Sequence, residues 1–349
     1  MMDEKSIESR EAEIAVSSRV RLARNINCIP FPTRMNPQQG EAIINKVWES
    51  ISQSSEVMAK NLVLMKIGRL DPIDRQILVE KHLISPELGE GKRESAVIIS
   101  RDEKISIMIN EEDHLRIQCI FPGMRLDEAW RLCSKLDVLF EDKMDFAFDK
   151  NLGYLTCCPT NVGTGIRASV MLHLPALGMT GYMRNILEAC GKIGIAVRGI
   201  YGENSEASGS MFQISNQVTL GQTEEEIIGS VKNVASQIIE QEKLLRKELY
   251  NQNPNRFEDR IYRSFGLLSN ARIISAEESL KLLSDVRLGV DMGIIVGINM
   301  TTLNEIMLVA QPAYIQRLAG KTLSPDERDI RRAELIRSSL NNVKQPPSS

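Results

Sequence analysis

Histidine is scarce in this chain of 349 residues, which holds only His82, His114 and His173. So few histidines argue against a multi-histidine metal centre and against a histidine-driven catalytic triad. The six cysteines include no Cys-x-x-Cys pair. In a chain of this length they are typical of reduced thiols, not of a disulfide framework or a zinc site.

Long apolar runs are also missing. No stretch approaches the ~18 apolar residues of a membrane span, and residues 1–14 are acidic and polar, without the apolar core of a signal peptide. The net charge of −3 gives no general reason to expect binding to nucleic acid or membranes. We therefore expect a cytoplasmic protein.

The order of periodic segments predicts an α+β fold. Hairpins and helices alternate without a strict βαβ order, which favours a largely antiparallel sheet flanked by helices, followed by an all-helical C-terminal domain. The segment Asn251–Asn255 is the predicted linker. We expect domains at 1–252 and 253–343 and a flexible tail at 344–349. Predicted strands are 96–100, 104–109, 115–121, 165–174, 194–201 and 211–216; predicted helices are 36–55, 72–82, 125–143, 179–192 and 223–250.

Two arginines near the start alternate with apolar residues. In an extended segment, Arg19 and Arg21 share one face while Val20 and Leu22 share the other. Neighbouring guanidinium groups can bind phosphate oxygens through two hydrogen bonds each. The same spacing is equally typical of a solvated edge strand.

A segment rich in small and polar residues, Thr156–Arg167, could form an anion-binding loop. Gly163 and Gly165 would allow close backbone approach, although a plain turn between strands explains them equally well. No Gly-Lys-Ser/Thr follows, so this is not a Walker A loop. Cys157 and Cys158 are typical of buried small residues, but in an anion loop a thiol pKa could be lowered.

Two acidic clusters complete the pattern. The first is Glu111-Glu112-Asp113, and the second contains Glu203 and Glu206. Each alone is typical of a solvated turn. Together with the arginines they suggest one cleft, in which arginines hold a polyphosphate and carboxylates clamp a guanidinium and accept its proton. This is the arrangement that phosphoryl transfer to a guanidinium requires.

Four motifs resemble those of the phosphagen kinases, which include creatine and arginine kinases. They are Ser-Ser-Arg19-Val-Arg21, Asn110-Glu-Glu-Asp-His-Leu-Arg116, the run from Cys158 to Arg167 with its following Ala-Ser, and Arg198-Gly-x-x-Gly-Glu-x-x-Glu206. The resemblance covers about residues 14–250. These kinases begin with a small helical domain of roughly a hundred residues, which precedes the arginine pair. In this chain the pair already lies at Arg19 and Arg21, so we expect that domain to be missing and a helical C-terminal extension to be present instead. That arrangement resembles the bacterial protein-arginine kinases of the McsB family, and an open site would suit a protein substrate.

The resemblance implies a role for each matching residue. Glu112 and Glu206 would be the catalytic carboxylates that bind the substrate guanidinium. Cys158 would be a thiol that tunes activity without being essential. The residues matching the nucleotide-phosphate ligands, with Mg²⁺ carried by ATP, are Arg19, Arg21, Arg116, Arg167 and Arg198.

Two positions differ from the metabolite kinases. Tyr201 replaces an arginine that binds phosphate, and Met171 replaces a histidine that packs on the adenine. A flexible methionine can still pack on a base.

The C-terminal run Arg328-Asp329-Ile330-Arg331-Arg332-Ala333 resembles a phosphoarginine-binding motif used for allosteric activation in the McsB family. Arg328 would hold the phosphate and Asp329 the guanidino group, with Arg332 in the same pocket. From composition alone, a solvated charged helix explains the run better. The family further implies a homodimer, a zinc-binding McsA-type activator, a CtsR-type repressor as substrate and a ClpC-type unfoldase downstream in a stress response.

Three hypotheses therefore stand. The first is an ATP-dependent protein-arginine kinase, and the second is a kinase for free arginine or another guanidino metabolite. The third is a non-catalytic adaptor that binds phosphoarginine. Retention of Glu112, Glu206 and the arginines argues against the third.

Overall fold

An eight-stranded antiparallel sheet organises the larger part of the chain in the computed structural model, which describes residues 14–54, 60–199 and 208–344. The strand order is β2-β3-β4-β5-β1-β8-β10-β9, and β6 and β7 form a separate small hairpin. The strands are β1 Ala15–Arg24, β2 Leu62–Lys66, β3 Ala96–Ser100, β4 Ile105–Ile109, β5 Leu115–Pro122, β6 Phe148–Asp149, β7 Gly153–Tyr154, β8 Ile166–His173, β9 Ile195–Gly199 and β10 Met211–Asn216.

Helices flank this sheet and form the whole C-terminal part, which confirms the predicted α+β class. None of the described helices is both long and apolar enough to cross a membrane. The helices are α1 Pro37–Ser54, α2 Pro72–Glu80, α3 Pro86–Gly89, α4 Leu126–Glu141, α5 Pro175–Thr180, α6 Met183–Lys192, α7 Glu224–Gln252, α8 Pro254–Asn270, α9 Ala276–Asp291, α10 Met300–Val309, α11 Pro312–Ala319 and α12 Pro325–Lys344.

Local sequence signals explain most helix and strand ends. The predicted hairpin at β3 and β4 is confirmed, and Thr223 and Glu226 form the predicted capping box at the start of α7. The single helix predicted at 179–192 is wrong. Gly181 takes a left-handed conformation with φ of 74°, so it ends α5 and separates it from α6.

The two faces of the sheet differ in chemistry. Val20 and Leu22 on β1 are fully buried, and their face packs against α1, α4 and α7 in the main core. The opposite face carries Arg19 and Arg21. Helices α2 and α3 cover only one end of that second face, through a small apolar cluster that includes Leu83.

The C-terminal helices α8–α12 surround a second apolar cluster. Asn253 is the one non-helical residue between α7 and α8, and its side chain accepts a hydrogen bond from the Arg256 amide at 3.0 Å. The predicted linker is thus reduced to one non-helical residue, and Pro254 is the first residue of α8. The domain boundary itself stays a prediction.

A buried polar joint connects these helices to the sheet. Arg246 on α7 pairs with Glu242 at 2.7 Å and with Asp291 on α9, and it donates to the carbonyl oxygen of His173 at 3.1 Å. Glu242 in turn accepts from the amide of Ala176 at 3.0 Å, at the start of α5. Because these charges are buried and mutually satisfied, they fix the end of β8 against the C-terminal part.

Arg24 is a structural arginine at the end of β1. It is 1% exposed, pairs with Asp137 on α4 at 2.6 Å and lies 3.5 Å from the ring centroid of Tyr154. It also donates to the carbonyl oxygen of Thr164 at 2.9 Å. A buried charge of this kind depends on its partner, because no water can replace it.

Replacing Asp137 with alanine should therefore destabilise the sheet. We expect Asp137→Ala to lower the free energy of unfolding by about 3 kcal/mol, because it leaves Arg24 buried without its counter-charge. Urea unfolding followed by tryptophan fluorescence measures this loss, since Trp130 lies on the same helix. The control is Asp127→Ala, which removes an exposed ion pair with Lys232 and should cost less than about 1 kcal/mol. Equal losses would contradict the structural role of Arg24.

Candidate active site

Five arginines share the open face of the sheet. The strand register places Arg21 directly opposite Arg167, and Arg19 donates to Gln213 on β10 at 2.7 Å. Four of the five are half-buried and Arg198 is exposed. The five are Arg19 and Arg21 on β1, Arg116 on β5, Arg167 on β8 and Arg198 on β9. The antiparallel sheet therefore brings together residues that are up to 179 positions apart, from 19 to 198.

Mutual repulsion and burial destabilise the positive charge on these groups. Burial, together with Arg116 and Arg167, lowers the pKa of Arg19 to about 10. Burial also lowers the pKa of Arg21, and the charges of the neighbouring arginines lower it further. Burial lowers the pKa of Arg167 too, with further contributions from Arg198 and Arg116. Because arginine side chains carry a positive charge in proteins, this face has a strong positive potential.

Arg21 on this face has a buried donor, its Nε, without a hydrogen-bond partner among the described residues. Buried polar atoms are rarely left in this state. An anionic ligand with several oxygens, such as a polyphosphate, would satisfy this donor and reduce the repulsion between the arginines.

The first acidic cluster is a rigid loop between β4 and β5, not a solvated turn. Asn110, Glu111, Asp113 and His114 are all buried, whereas Glu112 is exposed. Sequence composition favoured the solvated turn because it cannot show which acidic side chains have partners inside the fold.

His114 and Asn110 anchor the two ends of this loop. Nδ1 of His114 accepts from the amide of Ile26 at 2.9 Å, and its Nε2 lies 2.9 Å from the carbonyl oxygen of Pro30. This pairing requires the neutral Nε2–H tautomer, and burial lowers the pKa of His114 in agreement. Asn110 has a φ of 58° and donates to the carbonyl oxygens of Gly40 and Glu94, both at 3.0 Å.

Asp113 connects the loop to two other segments. Its Oδ1 accepts from the side-chain amide of Asn25 at 2.6 Å and from the backbone amide of Cys157 at 2.7 Å. Burial raises the pKa of Asp113 despite these hydrogen bonds. We therefore assign Asp113 a role in holding the loop and not in the chemistry.

Glu111 connects the acidic loop to the arginine face. Its Oε1 accepts from Arg116 at 2.8 Å and from the Ser85 hydroxyl at 2.6 Å, while its Oε2 accepts from the amide of Glu112 at 3.0 Å. Its carbonyl oxygen accepts from Arg93 at 2.9 Å. Burial raises the pKa of Glu111, but Arg116 and the hydrogen bonds outweigh that effect, so the net pKa is lowered and the group stays charged.

Glu112 is the one member of the loop that faces solvent. The described part of the chain gives its carboxylate no hydrogen bond or ion pair. Burial, followed by the charges of Asp113 and Glu111, raises its pKa. A carboxylate with a raised pKa and no partner can bind a cation and accept a proton.

Both charge types line one cavity of about 780 Å³. The cavity lies between the arginine face, the acidic loop and helices α2 and α3. Its charged lining from the predicted site consists of Arg19, Arg21, Arg116 and Glu112. Arg167, Arg198 and Met171 lie farther along the same face, outside this cavity, and Met171 is half-buried opposite Gln213.

Comparisons with known proteins show the family of this chain. Residues 42–245 match the catalytic domain of the ATP:guanido phosphotransferases, and residues 254–349 match the C-terminal domain of protein-arginine kinase McsB. The protein-arginine kinase of Caldanaerobacter subterraneus subsp. tengcongensis is 50% identical over 331 residues, covering 95% of this chain and 98% of that protein. That of Bacillus subtilis is 49% identical over 331 residues, covering 95% and 91%. This chain belongs to the protein-arginine kinase family.

Solved structures place the family's fold among the phosphagen kinases. A duplicated taurocyamine kinase from Schistosoma mansoni, with bound transition-state analogue components, aligns with a TM-score of 0.61 at 26% identity. The alignment covers 70% of this chain and 34% of that chain. A lombricine kinase aligns with a TM-score of 0.59 at 21% identity, which shows the fold alone.

The glycine-rich segment of this family member packs against the protein itself. A Cβ at Gly165 would lie 2.7 Å from the carbonyl oxygen of Ala23, and one at Gly163 would lie 2.3 Å from that of Thr219. These glycines therefore permit close approach of neighbouring backbone. The positive charge that the segment contributes comes from Arg167 on the following strand.

The two cysteines in this segment differ. Burial, then Asp113 and Glu112, raises the pKa of Cys157, contrary to the lowered thiol pKa that an anion loop suggested. Cys158 is half-buried, with Sγ 3.0 Å from Oγ1 of Thr160. It is also close enough to Arg167 to act on that residue's charge.

Glu203, Glu206 and Tyr201 lie outside the described residues, which resume at Ser208. Their assigned roles stay predictions.

The three arginines of the C-terminal motif differ in their partners. Arg331 pairs with Glu334 in an exposed ion pair. Arg332 is 1% exposed and pairs with Asp329. It donates to the carbonyl oxygens of Ala310 and Ile274 at 2.8 and 2.9 Å. Arg328 is half-exposed, and its guanidinium has no hydrogen bond or ion pair within the described ranges. The solvated-helix interpretation therefore does not hold for Arg332.

Several residues of the site carried no clear sequence signal. Ser85 and Arg93 act through Glu111, and Asn25 acts through Asp113 and His114. Gln213 shares the face of Arg19 through the register of β10 with β8 and of β8 with β1. The other contacts arise between distant segments.

Neutralising Glu111 should lower the pKa of Glu112. Glu111→Gln removes one of the negative charges that raise the pKa of Glu112. Arg116 also loses its counter-charge, so its positive charge lowers the pKa of Glu112 more strongly. The carboxyl ¹³C shift of Glu112, followed against pH in glutamate-labelled protein, measures the change. Glu87→Gln is the control, because Glu87 is the weakest of the named contributors. An unchanged or raised Glu112 pKa in Glu111→Gln would contradict the coupling.

Proposed function

We propose that the cavity joins the phosphates of ATP to the guanidinium of an arginine side chain in a protein. The enzyme then transfers the γ-phosphoryl group of ATP to a guanidino nitrogen. The observation that carries this proposal is the exposed carboxylate of Glu112, which has no partner among the described residues and lies one residue from the ion pair that Glu111 makes with Arg116. Family membership supports both the phosphotransferase class and the use of ATP.

The arginine face fits the polyphosphate. Arg19, Arg21 and Arg116 would bind it inside the cavity, and Arg167 and Arg198 would extend the contact along the sheet. Met171 would pack near the adenine. The unsatisfied Nε of Arg21 supports an anion at this place. Mg²⁺ would enter on the nucleotide and neutralise phosphate charge.

The acidic loop fits the guanidinium. Glu112 would orient one nitrogen of the acceptor guanidinium and accept the proton that this nitrogen loses. The family resemblance assigns this role to Glu112 and Glu206 together. A nitrogen–phosphorus bond forms while the bond from the γ-phosphorus to the bridging oxygen breaks, which leaves ADP. Arginines around the migrating group stabilise the charge that spreads over its oxygens. Cys158, near Arg167, would tune the reaction without taking part in it.

The C-terminal motif supports a second, regulatory role. We propose that Arg328 binds the phosphate of a phosphoarginine and that Asp329 contacts its guanidino group, with Arg332 fixing the position of Asp329. The available guanidinium of Arg328 supports this division. A homodimer, cytoplasmic localisation, a McsA-type activator, a CtsR-type substrate and a ClpC-type unfoldase in a stress response are proposed from the family resemblance.

Label transfer tests the activity. We expect γ-labelled ATP with Mg²⁺ to label an unstructured, arginine-containing protein, and an acid wash to remove the label, because nitrogen–phosphorus bonds are acid-labile. The same protein with its arginines changed to lysine is the control. Labelled free arginine without labelled protein would instead assign the enzyme to the metabolite kinases.

Glu112→Gln tests the mechanism. We expect kcat to fall by about 10²–10⁴-fold because the side chain can no longer accept a proton, while circular dichroism and nucleotide affinity stay close to those of the parent protein. Glu90→Gln changes another exposed acid that lines the same cavity and should have little effect. Undiminished turnover in Glu112→Gln would rule out the assigned base.

A further inference from the structure

The C-terminal helices touch the cavity wall through helix α2. Glu80 at the end of α2 accepts a hydrogen bond from the backbone amide of Ala313 at 2.9 Å. Ala313 is the second residue of α11, and Gln311, at the N-cap position of that helix, provides no side-chain cap. The first amides of a helix need outside acceptors. Glu80 supplies one from 233 residues away.

The same carboxylate borders the cavity. Glu80 lines it together with Gln76, Val79 and His82. A negative charge at a helix N-terminus is also favourable electrostatically. Burial raises the pKa of Glu80, and the amides of Ala313 and Tyr314 oppose that rise. One side chain therefore contacts both the cavity and the start of α11.

The contact continues toward the phosphoarginine motif. Arg332 donates through Nε to the carbonyl oxygen of Ala310, at the corner that joins α10 to α11. Its charge also acts on Glu80. Arg332 pairs with Asp329. The backbone from Ala310 to Ala313 therefore links the motif on α12, through Arg332, to Glu80 at the cavity wall.

We propose that Glu80 is a positioning residue that couples occupancy of the cavity to the arrangement of the C-terminal helices. A ligand that moves α2 changes the cap on α11, and a ligand that moves Arg332 changes the position of Glu80. The coupling acts in both directions, as linkage requires. This inference rests on the proposed function, which places a nucleotide in the cavity and a phosphoarginine at Arg328.

The chain offers a matched control on the same helix. Asp74 of α2 also reaches α11, through an ion pair with Arg317 at 3.4 Å. Arg317 is 62% exposed in that pair, and Asp74 does not line the cavity. Asp74→Asn therefore removes a contact between the same two helices without touching the proposed route.

Hydrogen exchange of the full-length protein with MgADP as the probe tests the coupling. In the parent protein and in Asp74→Asn, we expect MgADP to slow exchange of amides in residues 312–319 by at least about twofold. In Glu80→Ala this effect should disappear. Glu80→Gln keeps an acceptor oxygen but loses the charge, so it should retain part of the effect, and it serves as the test if Glu80→Ala does not fold.

Binding thermodynamics give a second readout. Titration calorimetry with MgADP, in the presence and absence of free phosphoarginine, should show an affinity change of about 5-fold in the parent protein and in Asp74→Asn. In Glu80→Ala the two affinities should agree within about twofold. Glu80→Gln should lie between these values.

The outcomes separate the two proposals. If the parent protein does not bind MgADP, the nucleotide half of the proposed function fails. If MgADP binds normally but Glu80→Ala keeps the exchange and affinity effects of the parent protein, only the coupling through Glu80 is overturned. Loss of both effects in Asp74→Asn as well would show that general packing of α2 against α11, and not Glu80, transmits the change.

Discussion

The buried carboxylate of Glu111 is the contact on which the arrangement of the cavity depends. One of its oxygens holds Arg116 on the arginine face, and the other holds the amide of Glu112. A single charged side chain thus sets the distance between the group that would bind phosphate and the group that would bind a guanidinium. Ser85, the N-cap residue of α3, completes this centre, so the start of a helix that covers one end of the sheet also supports the charged loop. Replacing such a paired, buried charge disturbs every group it orients.

Arginine has two distinct roles in this protein, and the ion-pair and hydrogen-bond partners of each side chain show which role it has. Arg24, Arg246 and Arg332 are buried, and each pairs with a carboxylate and donates to backbone carbonyl oxygens. These arginines hold segments together. Arg21 on the open face has a buried nitrogen without a described partner, and its neighbours repel it. Such an arrangement is costly without an anion, which is why the face is suited to a polyphosphate and why sequence context alone does not separate the two kinds of arginine.

Among the described residues, two of the contacts between the C-terminal helices and the catalytic part differ in character. Around Arg246 the contact is buried and rich in paired charges, which favours a fixed joint. Around Glu80 the contact is a helix cap, half-buried and next to the cavity. A fixed joint together with a weaker contact allows small rearrangements at the second without separation at the first. The geometry therefore accommodates regulation of the cavity by a ligand bound to the C-terminal helices.

By itself the sequence determined the α+β class, most strands and helices, and the shared face of Arg19 and Arg21, because strand alternation and helix caps are local properties. Through family resemblance, its motifs also predicted Glu112 as a catalytic residue and the arginines that we propose to bind phosphate. Only the tertiary structure decided that Glu111 and Asp113 are supports while Glu112 is exposed, that Gly165 serves packing, and that Glu80 caps a helix 233 residues away. These roles depend on burial and on partners from distant segments. The spacing of residues along the chain predicts neither of them.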